Sequence, residues 1–527
     1  MRSGTVDDEG SELVLTLSTL DPEPAGDDFP DVPERRWDAR IDRGILATAL
    51  LVGVALRVLL VDSVGLNSDE AVYSGQAASL ANNPHFTGLF PVVRAHPLLF
   101  QLLSSPLYRS GVPDQPGRYL SAAFGVGTIA LVFLLGRVLY SRRVGAIAAL
   151  LLAVMPYHVI ISRQVLLDGP MTFFATACLL CLAYLGKTGR GQWLVAAGAC
   201  LGLASLTKET AITLLASIFV FLALVPRFWR PARYVIGAGV TVFGLALAYP
   251  VITTISGASR SGQSYLLWQL GRQPNHDFGF YLTTIPLAMG VLLLLTAAAG
   301  LVLLRHESSW VEVLLLAWLV GPFVFFELWP VKGFPYLLVM TPALAVLAAR
   351  LLGWLTERLA DGTTVARVAS WAAVAVVTLS LVVPSVQSVL TPTASGLAGA
   401  GGSPGGREAG TWVAVHVPAG ARLMTLGPSM GNVIQYYSGH RADGLSVSPN
   451  PLHRNPSYQA IPNPDAALRD GDYQFVVWDA YSAARSPGFA AKELALVRKY
   501  NGRVVHSESA AFDGTPQPVV VIYQVHP

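Results

Sequence analysis

The sequence predicts a polytopic α-helical membrane protein with a small α/β domain at its C-terminal end. The chain of 527 residues is 53% hydrophobic and only 13% charged, whereas soluble domains carry about 25% charged residues. Its mean hydropathy is +0.50. Between Gly44 and Pro384, apolar runs of roughly 17–23 residues recur, which is the length that crosses about 30 Å of hydrocarbon. After Pro384 these runs stop, and short strand-like and helical segments alternate.

The composition divides the chain into four parts. Residues 1–34 are acidic, contain Pro and Gly and show no apolar period, which predicts a disordered tail. Residues 35–390 contain the apolar runs and form the predicted membrane domain. A linker rich in Gly, Ser and Pro at 391–406 leads to a predicted extracytoplasmic α/β domain at 407–527.

The C-terminal part shows the alternation that predicts a small α/β fold. It lacks a glycine-rich phosphate-binding motif, so the sequence does not predict nucleotide binding there. Acceptor binding and simple packing over an active site both stay open as its role. The strand-like runs are 421–426, 473–478, 504–506 and 519–523, and the helical patterns are about 430–437 and 488–500.

We predict about eleven membrane spans, each close to the length needed to cross the hydrocarbon. With the N-terminus in the cytoplasm, the short cytoplasmic connections hold most of the Lys and Arg residues, as the positive-inside rule requires. The protein is therefore expected in the plasma membrane, among membrane lipid, with its C-terminal domain outside. The predicted spans are about 44–62, 118–138, 143–160, 170–186, 192–206, 210–226, 234–252, 283–304, 310–328, 334–354 and 367–389.

Charge and cysteine content exclude several classes of function. The net charge of +3 comes without a basic stripe interleaved with aromatic residues, so no nucleic-acid partner is predicted. Cys178, Cys181 and Cys200 all fall within apolar runs and are interpreted as packing residues. His96, His158 and His276 are scattered, and no pair has zinc-ligand spacing, so no metal site is predicted. No cofactor is certain, although a divalent cation that bridges a phosphate to a carboxylate stays compatible with the sequence.

Two adjacent carboxylates, Asp69 and Glu70, follow the first predicted span. A carboxylate that faces a partly dry cavity can act as a general base, removing the proton of an acceptor hydroxyl or amine as that atom attacks a sugar. The alternative is a purely structural role in which Ser68 or Asp69 caps a helix over about 70–81. Both interpretations stay open on spacing alone.

Further charged residues are predicted on the same outer side. Arg163 and Asp168 lie between the third and fourth spans, where they form either a surface ion pair of small value or a phosphate contact and an acceptor-positioning group. Lys208 lies in a charged break between two short predicted spans. Its side chain either binds a phosphate or only extends to the membrane–water interface. Lys332, in the segment Trp329–Tyr336, could neutralise a departing lipid phosphate.

Five blocks of the sequence resemble a known family. They are LNSDEAVYSGQAASL, RAHPLLFQLL, the long stretch from RYLSAAFGVGTIALVFLLGRVL to SRQVLLDGPMTFF, GLASLTKETAI and VKGFPYLLVMTPALAVLAAR. In this order they resemble the dolichyl-phosphate-mannose protein mannosyltransferase superfamily (glycosyltransferase family 39-like), which includes the bacterial aminoarabinose transferase that acts on lipid A. The resemblance covers about residues 45–355 and does not extend to the C-terminal domain.

The resemblance implies the GT-C fold, in which the first outer loop carries the catalytic Asp, and an inverting single displacement. It makes Asp69 the base, with Glu70 beside it and Asp168 as a further catalytic residue. His96-Pro97 resembles a His-Pro-Pro block of the family, although Leu98 replaces the second Pro. The implied donor phosphate-binding residues are Lys332, Tyr336, Arg163 and Lys208, and the expected substrate-binding residues are Tyr73, Arg94, His96 and His276.

The sequence thus predicts a glycosyltransferase that moves a sugar from a polyprenyl-phosphate donor to an extracytoplasmic protein, glycolipid or cell-wall glycan. The sequence specifies neither the sugar nor the acceptor. The main alternative is a multi-span transporter or lipid flippase whose outer domain captures the substrate. Such proteins tend to show internal repeats and midplane charges, whereas here the charges gather at one rim. A catalytically inactive scaffold is the third alternative.

Overall fold

The computed structural model describes residues 36–86, 88–93, 95–255, 268–269, 271–272, 274–451, 453–512 and 515–526. The predicted N-terminal tail, residues 1–34, and Arg94 lie outside the described residues. The described part is mainly helical. Its helices up to the C-terminal region are α1 Arg36–Val58, α2 Ser68–Leu80, α3 Leu99–Ser104, α4 Gln115–Leu139, α5 Arg142–Ala153, α6 Pro156–Ser162, α7 Asp168–Thr188, α8 Gln192–Thr207, α9 Leu214–Leu224, α10 Ala232–Ile255, α11 Phe280–Met289, α12 Val291–Leu303, α13 Trp310–Leu328, α14 Thr341–Arg358 and α15 Thr364–Leu390.

The helices confirm a membrane protein, and the count of eleven spans stays a prediction. Each predicted span falls on a described helix or on a pair of consecutive helices. Within the described residues, six helices are long and apolar enough to cross a membrane, or eight if each of two bent pairs is one span. α8 and the segment Glu209–Leu224 are apolar but shorter. α1 differs from the others because Asp42 and Arg43 directly precede its apolar run and Arg57 lies within that run.

Local backbone chemistry explains the two bends. α5 and α6 meet at 62°, where Pro156 opens the second helix and cannot donate a backbone hydrogen bond to the first. α11 and α12 meet at 95°. Gly290 lies between them at φ +98°, which side chains with a Cβ rarely adopt. Pro286 precedes it within α11.

The segment between α1 and α4, which is the predicted first outer loop, contains two helical segments, of which the first matches the helix predicted over about 70–81. The first is α2, and the second is α3 followed by a 3₁₀ turn over Ser105–Tyr108. Most of α2 is buried, including Glu70 and Tyr73. This loop therefore packs as part of the protein interior, and α2 contacts α3 and the C-terminal region.

The C-terminal region forms a five-stranded sheet flanked by helices. The strands lie in the order β2-β1-β3-β5-β4, with β1 parallel to β2 and β3 and with β5 antiparallel to β3 and β4. Four of them overlap the four predicted strand-like runs, whereas the three-residue β2 was not predicted. The elements are α16 Gly406–His416, β1 Leu423–Thr425, α17 Pro428–Ser438, β2 Ala442–Gly444, α18 Pro464–Arg469, β3 Phe475–Asp479, α19 Ala480–Arg485, α20 Pro487–Lys499, β4 Arg503–Phe512 and β5 Thr515–Gln524.

One apolar core joins the C-terminal region to the membrane helices. The cluster that contains Leu151 of α5 and Leu344 of α14 continues through Ala71 of α2 to Val433 and Tyr436 of α17. The C-terminal region thus shares buried surface with the first outer loop. The exact domain boundary at 391–406 stays a prediction.

Candidate active site

The turn before α2 is built around Asn67. Its backbone is extended (φ −81°, ψ 177°), and its side-chain oxygen accepts hydrogen bonds from the backbone N–H groups of Asp69 and Glu70, each at 3.0 Å. The Glu70 carboxylate accepts a hydrogen bond in return from the backbone N–H of Asn67 at 3.0 Å, which completes a capping box. The alternative in which Ser68 or Asp69 caps this helix is therefore wrong, because Asn67 occupies the cap. Asp69 is left with a side chain that is not used as a cap.

Glu70 is fully buried and forms a bidentate ion pair with Arg118. Arg118 donates from Nε to Oε1 at 2.7 Å and from Nη2 to Oε2 at 2.8 Å. The backbone N–H of Val165 donates to Oε1 at 3.0 Å. Arg118 also donates to the carbonyls of Val61 and Val64. Both oxygens of Glu70 are thus held by protein donors, and the pair joins three segments of the outer side.

Asp69 differs from its neighbour because it is exposed at the first turn of α2. Its negative charge acts on Tyr336, and so do the charges of Asp168, Lys208 and Arg272. Tyr336 therefore marks a place where the first outer loop meets three other segments. Of the predicted site residues, the structure brings Asp69, Asp168, Lys208 and Tyr336 into one electrostatic cluster.

Lys208 and Asp168 form the centre of this cluster. The ammonium donates to both carboxylate oxygens, at 2.7 and 2.8 Å, and the two residues are 5% and 3% exposed. The Lys208 nitrogen also lies 4.7 Å from the centre of the Tyr336 ring, within cation–π range. Lys208 occupies the break between α8 and the next apolar segment, so an interruption of the helices places its charge here. The alternative in which Lys208 only reaches the membrane interface is not what the structure shows.

Two other predicted phosphate-binding cations lie at helix ends. Arg163 donates to the carbonyls of Leu56, Leu59 and Leu60 at the end of α1. Lys332 donates to the carbonyls of Glu327 at 2.6 Å and Trp329 at 3.2 Å at the end of α13.

In both positions a cation faces the negative end of a helix, which stabilises that end. The predicted ion pair between Arg163 and Asp168 is not formed, because Asp168 pairs with Lys208 instead.

The predicted substrate-binding residues fall in two places. His96 donates from Nδ1 to Glu209, with both carboxylate oxygens at 2.9 Å. The Tyr73 ring lies edge-on to His96 with 6.0 Å between ring centres. Because Glu209 directly follows Lys208, this pair lies next to the central cluster.

His276 lies apart from this pair, stacked on Phe280 with 4.1 Å between the ring centres. Partial burial, with the positive charge of Arg485 as the second cause, lowers the pKa of His276 below its usual value.

Sequence reasoning missed three residues of this site. Glu209 was visible in the Thr-Lys-Glu block but was not selected. Arg272 acts on Tyr336 from the segment between α10 and α11, and no motif marks it. Arg118 lies within the apolar run of α4, where a buried arginine is costly unless it is paired. That cost was the signal that could have drawn attention to it.

The C-terminal region holds the turn before α2 through hydrogen bonds made by two side chains. The hydroxyl of Tyr437 accepts a hydrogen bond from the backbone N–H of Leu66 at 2.9 Å and donates to Asp114 at 2.9 Å. The Asn432 side chain donates to the hydroxyl of Ser68 at 3.0 Å. Both residues lie on α17, so one helix contacts the chain on both sides of Asn67. Burial raises the pKa of Asp114.

Metal ligands are not gathered at this site in the part of the chain that the structure describes. No group of three or more His, Cys, Asp or Glu side chains is placed there to hold an ion. The carboxylates of Glu70 and Asp168 are each engaged by a cation of the protein.

Comparison with known proteins identifies the fold. Residues 95–253 match the family model described as dolichyl-phosphate-mannose-protein mannosyltransferase. The structure is similar to that of ArnT from Cupriavidus metallidurans in the apo state, with a TM-score of 0.66 and 15% identity over 92% of this chain and 98% of that one. The chain has the GT-C glycosyltransferase fold. The family-model match supports the resemblance over residues 95–253, which hold the third and fourth of the five sequence blocks and nearly all of the second.

Two further structures share the GT-C fold. One is ArnT from Cupriavidus metallidurans bound to undecaprenyl phosphate, with a TM-score of 0.63 and 17% identity over 92% of this chain and 97% of that one. The other is the archaeal oligosaccharyltransferase AglB from Archaeoglobus fulgidus in complex with an inhibitory peptide and a dolichol-phosphate, with a TM-score of 0.56 and 16% identity over 92% of this chain and 75% of that one. No curated protein sequence matches the chain. At these identities the likeness establishes the fold.

Proposed function

We propose that this protein is an inverting glycosyltransferase that moves a sugar from a polyprenyl-phosphate donor to an extracytoplasmic acceptor. The observation that carries the proposal is the cluster around Tyr336, where the charges of an exposed carboxylate, Asp69, and of a buried lysine, Lys208, both act on the same tyrosine. A transferase of this type needs a base on one side of the sugar and cations on the other. The GT-C structure bound to undecaprenyl phosphate supports a lipid-phosphate donor.

Asp69 is the proposed general base. The acceptor oxygen or nitrogen attacks the anomeric carbon and loses its proton to the Asp69 carboxylate. The bond between that carbon and the phosphate oxygen breaks, and the polyprenyl phosphate leaves with the electron pair. Attack opposite to the leaving group inverts the anomeric centre. Glu70 cannot readily share this task because both of its oxygens are already bonded, so we assign it the positioning of the loop.

Lys208 and Tyr336 are the proposed partners of the donor phosphate. Negative charge builds on the phosphate as it leaves, and a fixed cation in a site with little water lowers the barrier. Asp168 holds the Lys208 ammonium by two of its three N–H groups, which orients the third. Arg272 adds a second cation. Lys332 keeps one N–H group beyond its two carbonyl contacts and is retained as an outer phosphate contact.

Tyr73, His96 and Glu209 are proposed to border the sugar or the acceptor. The two ring residues and the carboxylate offer an apolar face and hydrogen-bonding groups beside Lys208, a combination that suits a sugar. His276 stays a proposed substrate contact, and so does Arg94, which lies outside the described residues. A divalent cation that bridges the donor phosphate and Asp69 would bind together with the donor. Turnover measured with and without a chelator tests whether the reaction requires it.

The first experiment compares two variants in a turnover assay. Purified protein is offered a panel of polyprenyl-phosphate sugars, and release of polyprenyl phosphate is measured for the wild type, Asp69→Asn and Asp62→Asn. Asp62 is a matched control, since it is an exposed aspartate of the same outer rim that accepts a hydrogen bond from Gln115. We expect Asp69→Asn to lose turnover by about 10²–10⁴-fold and Asp62→Asn to keep it.

Either result can overturn part of the proposal. Full turnover by Asp69→Asn would remove the base assignment and leave the enzyme in place. If the wild type released nothing with any donor of the panel but bound one, the transporter or flippase interpretation would replace the glycosyltransferase.

A further inference from the structure

An apolar groove runs along the membrane domain between α9 and α10. Its floor is formed by α8 through Leu194 and Leu201, and its walls by residues such as Ile218 of α9 and Val242 of α10. The cavity measures about 170 Å³. Lys208 follows one end of α8, whereas the groove covers the other half of that helix. The groove is therefore separate from the candidate active site.

Packing of the three helices explains why the groove is open. α8 and α10 touch through their backbones, since a Cβ on Gly198 would lie 2.6 Å from the Ala238 carbonyl oxygen. α9 instead packs against α13. The space between α9 and α10 is open at Gly239. A Cβ placed there would meet no described atom within 4 Å.

A basic turn closes one end of the groove. Phe228, Trp229 and Arg230 line that end, and Phe228 is buried. The guanidinium carbons of Arg227 and Arg230 lie 5.1 and 6.0 Å from the Phe228 ring centre. Trp229 is 50% exposed. An aromatic residue beside arginines at the end of a membrane helix is typical of the lipid headgroup level.

The arginines of this turn lack an acidic partner within the described chain. Arg230 donates to the carbonyls of Arg227 and Trp229, and Arg233 contacts Tyr234. None of the three forms an ion pair with a described carboxylate. The Nε of Arg230 is buried without a hydrogen-bond partner there. An anion is the partner that these groups still need.

We propose that this groove binds one anionic phospholipid, with an acyl chain between α9 and α10 and the phosphate at Arg227 and Arg230. Guanidinium groups suit phosphate oxygens because they donate two parallel hydrogen bonds. Basic pockets between membrane helices are a known way of holding anionic headgroups. The positive-inside prediction places this turn in the cytoplasmic leaflet. The proposal does not depend on the sugar-transfer reaction.

The test measures lipid retention directly. Protein in detergent is mixed with equal amounts of phosphatidylglycerol and phosphatidylcholine, and bound lipid is counted by native mass spectrometry. Gly239→Leu fills the groove, and Gly244→Leu is its matched control because that Cβ also meets nothing within 4 Å on the same helix but does not line the groove. A double variant, Arg227→Gln with Arg230→Gln, removes the charges.

We expect the wild type and Gly244→Leu to retain one phosphatidylglycerol in preference to phosphatidylcholine. Gly239→Leu and the double arginine variant should each lower that retention about tenfold. Equal retention of the two lipids, or retention that Gly239→Leu leaves unchanged, would overturn the proposal. Displacement of phosphatidylglycerol by an equal amount of undecaprenyl phosphate would also overturn it, because the groove would then bind the donor lipid.

Discussion

Two neighbouring carboxylates, Asp69 and Glu70, have opposite environments although they are adjacent in sequence. One is exposed and acts electrostatically on Tyr336, and the other is buried between Arg118 and the Val165 N–H. On a helix, successive side chains point about 100° apart, so adjacent residues face different surroundings. The sequence motif identifies Asp69 and Glu70 as a pair of carboxylates. Their different roles follow only from Arg118, which is distant in sequence and binds Glu70 alone of the two.

The two lysines of the outer side should respond differently to removal of their charge. Lys208→Met removes the cation next to Tyr336, and we expect turnover to fall about 10²–10³-fold. Lys332→Met removes a cation from the end of α13, and we expect a lower melting temperature with a smaller loss of turnover. Donor dissociation constants, turnover and melting temperatures of both variants are the measurements.

The double variant Lys208→Met with Asp168→Asn is the control for folding, because Lys208→Met alone leaves a buried carboxylate unpaired. If Lys208→Met and Lys332→Met lost turnover equally, Lys332 would be as close to the phosphate as Lys208.

A third carboxylate, Glu493 of α20, is buried, and neither of its oxygens has a hydrogen-bond partner among the described residues. Burial raises its pKa well above the usual value, with the negative charge of Asp479 as a second cause. The folded state therefore binds a proton that the unfolded state has lost, so the free energy of unfolding falls as pH rises above the ordinary pKa of Glu. Glu493→Gln removes this loss.

We expect Glu493→Gln to melt a few degrees higher than the wild type at pH 7.5, roughly the shift that 1 kcal/mol produces. The difference should vanish near pH 4, where the wild-type carboxyl is protonated in both states. Melting curves of the full chain at the two pH values are the test. A variant that melts lower than the wild type at pH 7.5 would show that Glu493 has an ionised partner.

At the scale of elements, α17 is the helix that connects the C-terminal region to the candidate active site. Its Tyr437 bonds the residue before Asn67, and its Asn432 bonds the residue after it. Gly439 ends the helix at φ +70°, and a Cβ there would lie 2.8 Å from His85 of the outer loop. The helix is thus fixed against the loop from its middle to its C-terminal end.

Tyr437→Phe should lower turnover and leave donor binding unchanged. The variant keeps the ring and loses two hydrogen bonds, each worth about 0.5–1.5 kcal/mol, which hold the loop of Asp69. Tyr481→Phe is the matched control, because Tyr481 is 60% exposed on α19. The measured quantities are turnover and the dissociation constant of the donor. A change in donor binding without a change in turnover would assign α17 to the donor site.

Local signals explain which elements the sequence predicts and which it does not. The long apolar helices, α17, α20 and four strands follow from runs and periods that extend over several residues. β2 has three residues around Asp443 and no alternation, so it exists only because β1 pairs with it. Asn67 caps α2 through a backbone geometry that the letters Asn-Ser-Asp alone do not fix.

The candidate site is only partly predictable for the same reason. Asp69, Asp168 and Lys208 stand out because charges at a membrane rim are costly, and Tyr336 is identified by the family resemblance. The ion pair between Lys208 and Asp168 joins residues 40 positions apart. Pairings over such distances leave no periodic trace in the sequence, which is why Arg163 was expected beside Asp168.

At the scale of the whole molecule, the proposed reaction requires the C-terminal region and the candidate site to share one side of the membrane. The bonds from α17 to Leu66 and Ser68 satisfy this requirement within the structure. The orientation of that side is a prediction from the basic residues of the connections.

A reporter that is active only outside the cytoplasm, fused after Pro527, should therefore be active. The same reporter fused before Met1 should be inactive, because the N-terminus is predicted in the cytoplasm. Activity is compared at equal expression in intact cells. An inactive C-terminal fusion would contradict the predicted topology. With an inactive N-terminal fusion it would show an even number of spans, and with an active one it would show the reverse orientation.

The bond between Leu66 and Tyr437 joins residues 371 positions apart. A ribosome adds about 5–20 residues per second, so about 20–75 s pass between synthesis of the two. Through that interval the helices of the first half can already be inserted while the loop of Asp69 lacks its outer support. The proposed active site would thus gain its contacts with α17 only late in synthesis, after most of the helices have been made.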